Sequence, residues 1–239
     1  MKHTYLFFGE KISEGVWELR DDEVFHLKNV LRLKAGSRIE LTDGRGLKAC
    51  GHINDDGKTC AIDHASFSAN DHGKNGRLIL VQAIIKKELV EEVLPSLVEL
   101  GVDELFFYLQ AHAPRGIFSP KLEERAHRIV ESAMKQSKRA NKPEVRFFSQ
   151  QDECFRIIQD FAGLKILFSP VNAVDCSSVK FAKEVLAVCG SEAGFTETEE
   201  NYFRMMHFIS LKIAAPVLRA RTASIVGSGL ILAHMVNLN

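Results

Sequence analysis

From Arg77 onward the sequence alternates largely apolar runs of strand length with longer amphipathic segments. The runs cover residues 78–85, 105–109, 145–148, 165–168, 185–189 and 208–213. A strand with one wet face alternates apolar and polar residues. An unbroken run needs cover on both faces, which is the condition of a parallel sheet between helix layers. Helix starts fall between the runs: Ser119 and Pro120 supply a cap and a first-turn proline before 121–141, and Thr196 and Glu199 have capping-box spacing before 202–206. Residues 73–239 therefore read as an α/β domain.

Residues 1–72 have a different texture. Stretches of β character at 4–8, 38–42, 47–53 and 60–67 are separated by turns such as Asp43-Gly44 and Asp55-Asp56-Gly57, which predicts a small β-barrel. One helix interrupts it at 21–33, with Val24, Leu27, Val30 and Leu31 spaced for a single buried face. The polar, glycine-containing stretch 69–76 is the expected linker.

In open α/β sheets ligands bind beyond the carboxyl ends of the strands. Three loops qualify: Ser169-Pro170, the stretch 190–195 (Gly190-Ser191-Glu192-Ala193-Gly194-Phe195), and 214–219. Glycines in a strand-to-helix loop permit close backbone approach to a ligand, and equally permit a tight turn. No P-loop, no G-x-G-x-x-G and no G-x-S-x-G is present, which argues against a P-loop enzyme, a standard dinucleotide-binding domain and an α/β-hydrolase. Gly227-Ser228-Gly229 sits in an apolar segment and is expected to serve close helix packing.

Formal charge is zero, from 31 basic and 31 acidic side chains, so an anionic partner must be met by local clustering. Two windows supply it. Lys28, Arg32, Lys34, Arg38, Arg45 and Lys48 lie in one, and the other, 112–146, contains Arg115, Lys135, Lys138, Arg139 and Lys142 among others. The N-terminus has the pattern of neither a signal nor a transit peptide, and no apolar run approaches a membrane span. The cysteines form no C-x-x-C pair, which predicts reduced thiols, no metal site and a cytoplasmic location.

The stretch 26–36 (His26 to Gly36), followed by Leu41-Thr42-Asp43-Gly44-Arg45-Gly46, resembles the PUA-like barrel signature of the 16S ribosomal RNA uridine-N3 methyltransferases of the RsmE type, members of the SPOUT class. Further on, 99–102, Arg115-Gly116-Ile117, 135–145, 190–195 and 217–223 are similar to successive segments of that family. The chain departs from the family pattern at Ser191, Ala193, Ala214-Ala215-Pro216 and Arg221.

The resemblance implies an α/β SPOUT-type domain with a parallel sheet and a trefoil knot behind a PUA-like barrel. It also implies a homodimer, S-adenosylmethionine as cofactor, and 16S ribosomal RNA or the small ribosomal subunit as partner. On it rest the expected roles: Arg219 and Glu192 as catalytic residues; Phe168, Cys189, Gly190, Gly194, Leu211, Ile213 and Leu218 around the cofactor; Arg32, Lys34, Arg115 and Arg139 on RNA. Arg221 is expected beside Arg219. A non-catalytic ribosomal RNA-binding protein on the same fold and a methyltransferase for another base remain the alternatives.

Overall fold

The computed structural model describes residues 4–68, 76–110, 113–114 and 116–236. The chain forms two compact units, one of Met1–Asp71 with Met134–Lys142, the other of His72–Ala133 with Pro143–Asn239.

The first unit is a closed barrel in the order β1-β2-β5-β4-β3. Its strands are β1 (Leu6–Ser13), β2 (Val16–Leu19), β3 (Arg38–Thr42), β4 (Leu47–Ile53) and β5 (Thr59–Phe67). Neighbours pair antiparallel except at the closure, where β1 and β3 run parallel with Phe7 opposite Leu41. Phe7, Trp17, Leu19, Ile39, Leu41 and Cys60 fill the interior. Strand β2 lies outside the expected set.

Between β2 and β3 runs α1 (Asp21–Phe25), which continues as a π-helical stretch, His26–Leu31. Asp21, Asp22 and Glu23 occupy its first turn, where the helix dipole favours negative charge. The expected apolar face is only partly correct. Leu27 is buried and Val24 and Leu31 pack against the barrel core, but Val30 is 59% exposed. The i→i+5 hydrogen bonding of a π-helix widens the turn, so a 3.6-residue period assigns the wrong side to residues beyond its start.

The stretch Met134–Lys142, read from the sequence as part of the second domain, packs with the barrel unit. Its backbone and side chains satisfy barrel groups: Thr42 Oγ1 and the Gly46 N–H donate to the Ala140 carbonyl (3.1 and 3.2 Å), and the Lys142 N–H donates to the Gly44 carbonyl (2.8 Å). The Lys48 ammonium donates to the Lys138 carbonyl at 2.6 Å, while Lys138 pairs with Glu40 at 2.9 Å. Glu23, 1% exposed, accepts from Lys135 at 3.1 Å and from the Phe8 N–H at 3.3 Å. Burying a carboxylate is costly unless such partners meet its oxygens.

The second unit is built on a seven-stranded, wholly parallel sheet, order β10-β12-β9-β11-β6-β7-β8. Its elements in chain order are β6 (Arg77–Ile84), α2 (Lys87–Leu100), β7 (Glu104–Leu109), α3 (Pro120–Ser137, whose last turn joins the barrel unit), β8 (Glu144–Phe148), α4 (Gln151–Asp160), β9 (Leu164–Phe168), β10 (Val174–Asp175), β11 (Glu184–Cys189), α5 (Glu197–Met205), β12 (Ile209–Lys212) and α6 (Ala220–Val236). The central strands β6 and β11 are buried along almost their whole length, as their unbroken runs require. Helix α6 lies against α2, β6, β9 and β11. On β6 and β11, Ile79, Val81, Leu186 and Val188 form one cluster with Cys154, Phe155 and Ile158 of α4 and Phe203 of α5.

The chain lays down β9, places β10 at the sheet edge, and then adds β11 on one flank of β9 and β12 on the other. All these strands share one direction, so their carboxyl ends open on one edge. Among the described residues, no helix is long and apolar enough to cross a membrane.

Candidate functional site

At that edge, the ends of β9 and β11 and the start of α6 enclose a cleft of about 720 Å³, within the range of roughly 300–1,000 Å³ typical of small-molecule sites. Phe168 and Cys189 are the last residues of their strands, and both reach the cleft. The loop 190–195 forms one wall and contributes Gly190, Glu192 and Gly194, while Leu218 and Arg219 come from the segment leading into α6. Leu211 and Ile213 line a narrower recess of about 70 Å³, which shares Phe168 and Leu218 with the main cleft. All the residues expected around the cofactor thus fall at one place in the second unit, together with Arg219 and Glu192.

The loop is held from below by side chains that sequence reasoning missed. Gln82, on β6, donates from Nε2 to the Gly190 carbonyl (2.8 Å), and its Oε1 accepts from the Ser224 hydroxyl on α6. Gln110, just beyond β7, donates to the Gly194 carbonyl (2.8 Å) and to Glu199 Oε2 (2.9 Å), while its Oε1 accepts from the Ser191 hydroxyl. Ser191 Oγ also accepts the Ala193 N–H at 3.2 Å. Glu199 closes the capping box with Thr196 at the start of α5 and accepts from the Tyr108 hydroxyl at 3.0 Å.

Burial, and then the neighbouring Glu199 carboxylate, hold the Tyr108 phenol well above its ordinary range, so it stays a donor. Gly194 has φ +75, a conformation open to glycine at little cost, and its N–H returns to the Ser191 carbonyl at 3.0 Å. The carbonyls of Gly190 and Gly194 are therefore engaged by Gln82 and Gln110, while both residues line the cleft. One signal pointed to Gln82: a glutamine inside the apolar run 78–85 must find a partner when buried.

The rest of the wall is apolar. The Phe168 ring lies over Gly227 of α6, so closely that a Cβ there would sit 2.5 Å from the ring. This fits the packing role expected for Gly227. Cys189 is enclosed beside Ala220, and burial pushes its thiol up to about 12. Val217, by contrast, is 84% exposed at the rim.

Arg221 does not stand beside Arg219 in the cleft. Arg219 precedes α6, whereas Arg221 lies in its first turn and pairs with Glu92 of α2 at 3.1 Å. Of the residues expected on RNA, Arg32 and Lys34 are exposed on the barrel unit, and Arg115 lies outside the described residues. Arg139 is a correction: at 1% exposure its guanidinium is enclosed by the protein and has no path to a phosphate.

Residues 72–232 match the RNA methyltransferase domain family, and residues 19–62 match the RNA methyltransferase PUA domain family. The chain is 27% identical over 207 residues to the ribosomal RNA small subunit methyltransferase E of Helicobacter pylori, covering 80% of this chain and 84% of that protein. A probable rRNA-methyltransferase from Porphyromonas gingivalis superposes with TM-score 0.80 at 29% identity, covering 98% of this chain and 100% of that one. The Neisseria gonorrhoeae ribosomal RNA small subunit methyltransferase E, solved bound to S-adenosyl methionine, has the same fold, with TM-score 0.82, 24% identity and coverage of 97% and 98%. With a SPOUT-type parallel sheet, a barrel in the matched PUA region and a family match over more than half its length, the chain belongs to the RNA methyltransferases.

Proposed function

We propose that the protein transfers a methyl group from S-adenosylmethionine to N3 of a uridine in 16S ribosomal RNA. The observation that carries this reading is the cleft at the ends of β9 and β11, where residues 190–195 and 218–219 converge. The relatives with matching chains, from Helicobacter pylori and Borreliella burgdorferi, are named as small-subunit ribosomal RNA methyltransferases, which supports the substrate class.

The residues present suit the cofactor. Phe168 and Leu218 offer an apolar wall for a purine, and the loop 190–195 offers a polar backbone rim beside it. When bound, S-adenosylmethionine supplies an electrophilic methyl for in-line displacement, so the protein chiefly has to align it with the attacking nitrogen and exclude water. Uracil N3 attacks well only after losing its proton. Arg219, exposed at the mouth of the cleft, is placed to favour the anionic base by donating to a carbonyl oxygen, and Glu192 orients the base or the loop.

Arg32 and Lys34 on the barrel unit meet phosphates. The exposed apolar side chains Val171, Val174 and Val217 of the second unit are ones a homodimer would cover, and a ribosomal RNA substrate accords with a cytoplasmic location. Primer extension on small-subunit RNA tests the reading, because a methyl on N3 blocks the pairing edge. A deletion strain should lose one polymerase stop, and purified protein with S-adenosylmethionine should restore it at the same uridine. Retention of every stop in the deletion strain would sink the assignment.

A further inference from the structure

The α1 and π-helical stretch of the barrel unit presents a second surface that the cleft does not use. Its first-turn acids are matched inside the unit: Asp21 pairs with Lys58 at 3.4 Å, Asp22 with Arg20 at 3.1 Å, and Glu23 with Lys135. Its far end is the reverse. Arg32 ends the π-helix in a left-handed conformation (φ 53), and Lys34 and Arg38 flank the turn closed by the Ser37 N–H to the Lys34 carbonyl. All three side chains are exposed, and among the described residues none has an ion-pair partner. A net positive edge is left without internal compensation.

Along the segment that leads to that edge, apolar side chains turn to water. Phe25 is 66% exposed and Val30 is 59% exposed. The i→i+5 turn brings these two residues, five apart, to one side of the segment. The Asn29 side chain between them donates to the Phe25 carbonyl at 3.0 Å, which fixes the backbone under the ring. An exposed aromatic ring on a segment that ends in unpaired cations is a combination that binds unpaired nucleotides, since every base offers a face for stacking while phosphates seek the cations.

We propose that Phe25 is a stacking platform for an unpaired base of the substrate RNA, with Val30 extending the apolar surface and Arg32, Lys34 and Arg38 holding the adjoining phosphates. This rests on the RNA-methylating reading above and adds to it a site for single-stranded RNA on the barrel unit. The ring is exposed, so its replacement leaves the core intact.

The test uses the full chain and a single-stranded 12-nucleotide oligouridylate, with its duplex on oligoadenylate as control. Phe25→Ala should weaken binding of the single strand about tenfold without changing the salt slope, because stacking releases no counterions. Phe25→Trp should restore the affinity. The chain's one tryptophan, Trp17, is 2% exposed, so quenching on addition of oligouridylate should appear in Phe25→Trp and be absent from wild type. Arg32→Ala and Lys34→Ala should each lower the salt slope by about 0.7.

A Phe25→Ala affinity within twofold of wild type, or a Phe25→Trp signal that RNA does not change, overturns the proposal and assigns this face to a protein partner. So does a wild type that methylates subunit RNA yet does not bind oligouridylate. A wild type that neither binds oligouridylate nor methylates subunit RNA removes the underlying reading as well.

Discussion

Gln110 accepts a hydrogen bond from the hydroxyl of Ser191 and so ties the strand-end loop of β7 to the loop that follows β11. The same amide donates to Gly194 and Glu199, which leaves the glutamine side chain no idle polar atom. The Ser191 hydroxyl also accepts the Ala193 N–H at 3.2 Å, inside the same loop. The Ser191 hydroxyl thus braces the loop through hydrogen bonds at both of its ends.

Gln110→Ala should therefore loosen the loop. It leaves Ser191 Oγ, the Gly194 carbonyl and Glu199 Oε2 each short of a partner, at a cost of about 1–3 kcal/mol in chemical denaturation. Affinity for S-adenosylmethionine should fall at least tenfold by calorimetry. An affinity equal to wild type would show that the loop holds its shape without the glutamine.

Gly227→Ala places a methyl group 2.5 Å from the Phe168 ring, which must swing into the cleft or push α6 away. Overpacking of this kind costs about 1–3 kcal/mol. Cofactor binding should weaken sharply, whereas binding of oligouridylate should match wild type. Equal loss of both would point to general unfolding instead.

Arg219 and Arg221 are two residues apart and should behave differently. Arg219→Ala should lower kcat by about 10²–10³ with cofactor affinity nearly unchanged, as expected for a donor that acts on developing charge. Arg221→Ala loses an exposed pair with Glu92 and should cost under about 1 kcal/mol of stability, with the rate unaffected. A slow Arg221→Ala enzyme beside a normal Arg219→Ala enzyme would reverse the assignment.

The parallel sheet was legible because burial on both faces is written as largely apolar runs; the run at 185–189 falls within one residue of β11. Strand β2 was not. Four residues with only Trp17 and Leu19 facing inward give too short a pattern to register. Val30 was misplaced because periodicity assumes an α-helix, and Arg139 because counting charges in a window carries no information on burial. The cleft's walls could be named from strand ends and resemblance. Of its supports only Gln82 left a sign, as a glutamine in an apolar run; Gln110 and Ser224 acquire their roles only when distant segments meet.

Three thiols give the folded chain a sensitivity to base. Burial pushes Cys154 and Cys189 up to about 12 and Cys60 up to about 11, so they stay neutral where an unfolded chain, near 9, ionises. Their contribution is whole below pH 9 and is lost as pH rises through the folded values, by about 1.4 kcal/mol per pH unit for each thiol. Urea midpoints should fall steeply between pH 9 and 11. At pH 8 in native buffer, iodoacetamide should modify Cys50 and Cys176 well before the other three, as read by mass spectrometry. Early labelling of Cys189 would contradict its burial.

Met134–Lys142 belongs to the barrel unit although most of α3 precedes it in the other unit. No single cleavage of the chain can therefore release a whole barrel. A gene fragment ending near residue 71 would leave Thr42 Oγ1, the Gly46 N–H and the Lys48 ammonium without their acceptors and Glu23 without its cation. During synthesis the barrel must wait, incomplete, until residue 142 has left the ribosome. A transplant of this module into another enzyme has to carry two separate stretches of sequence.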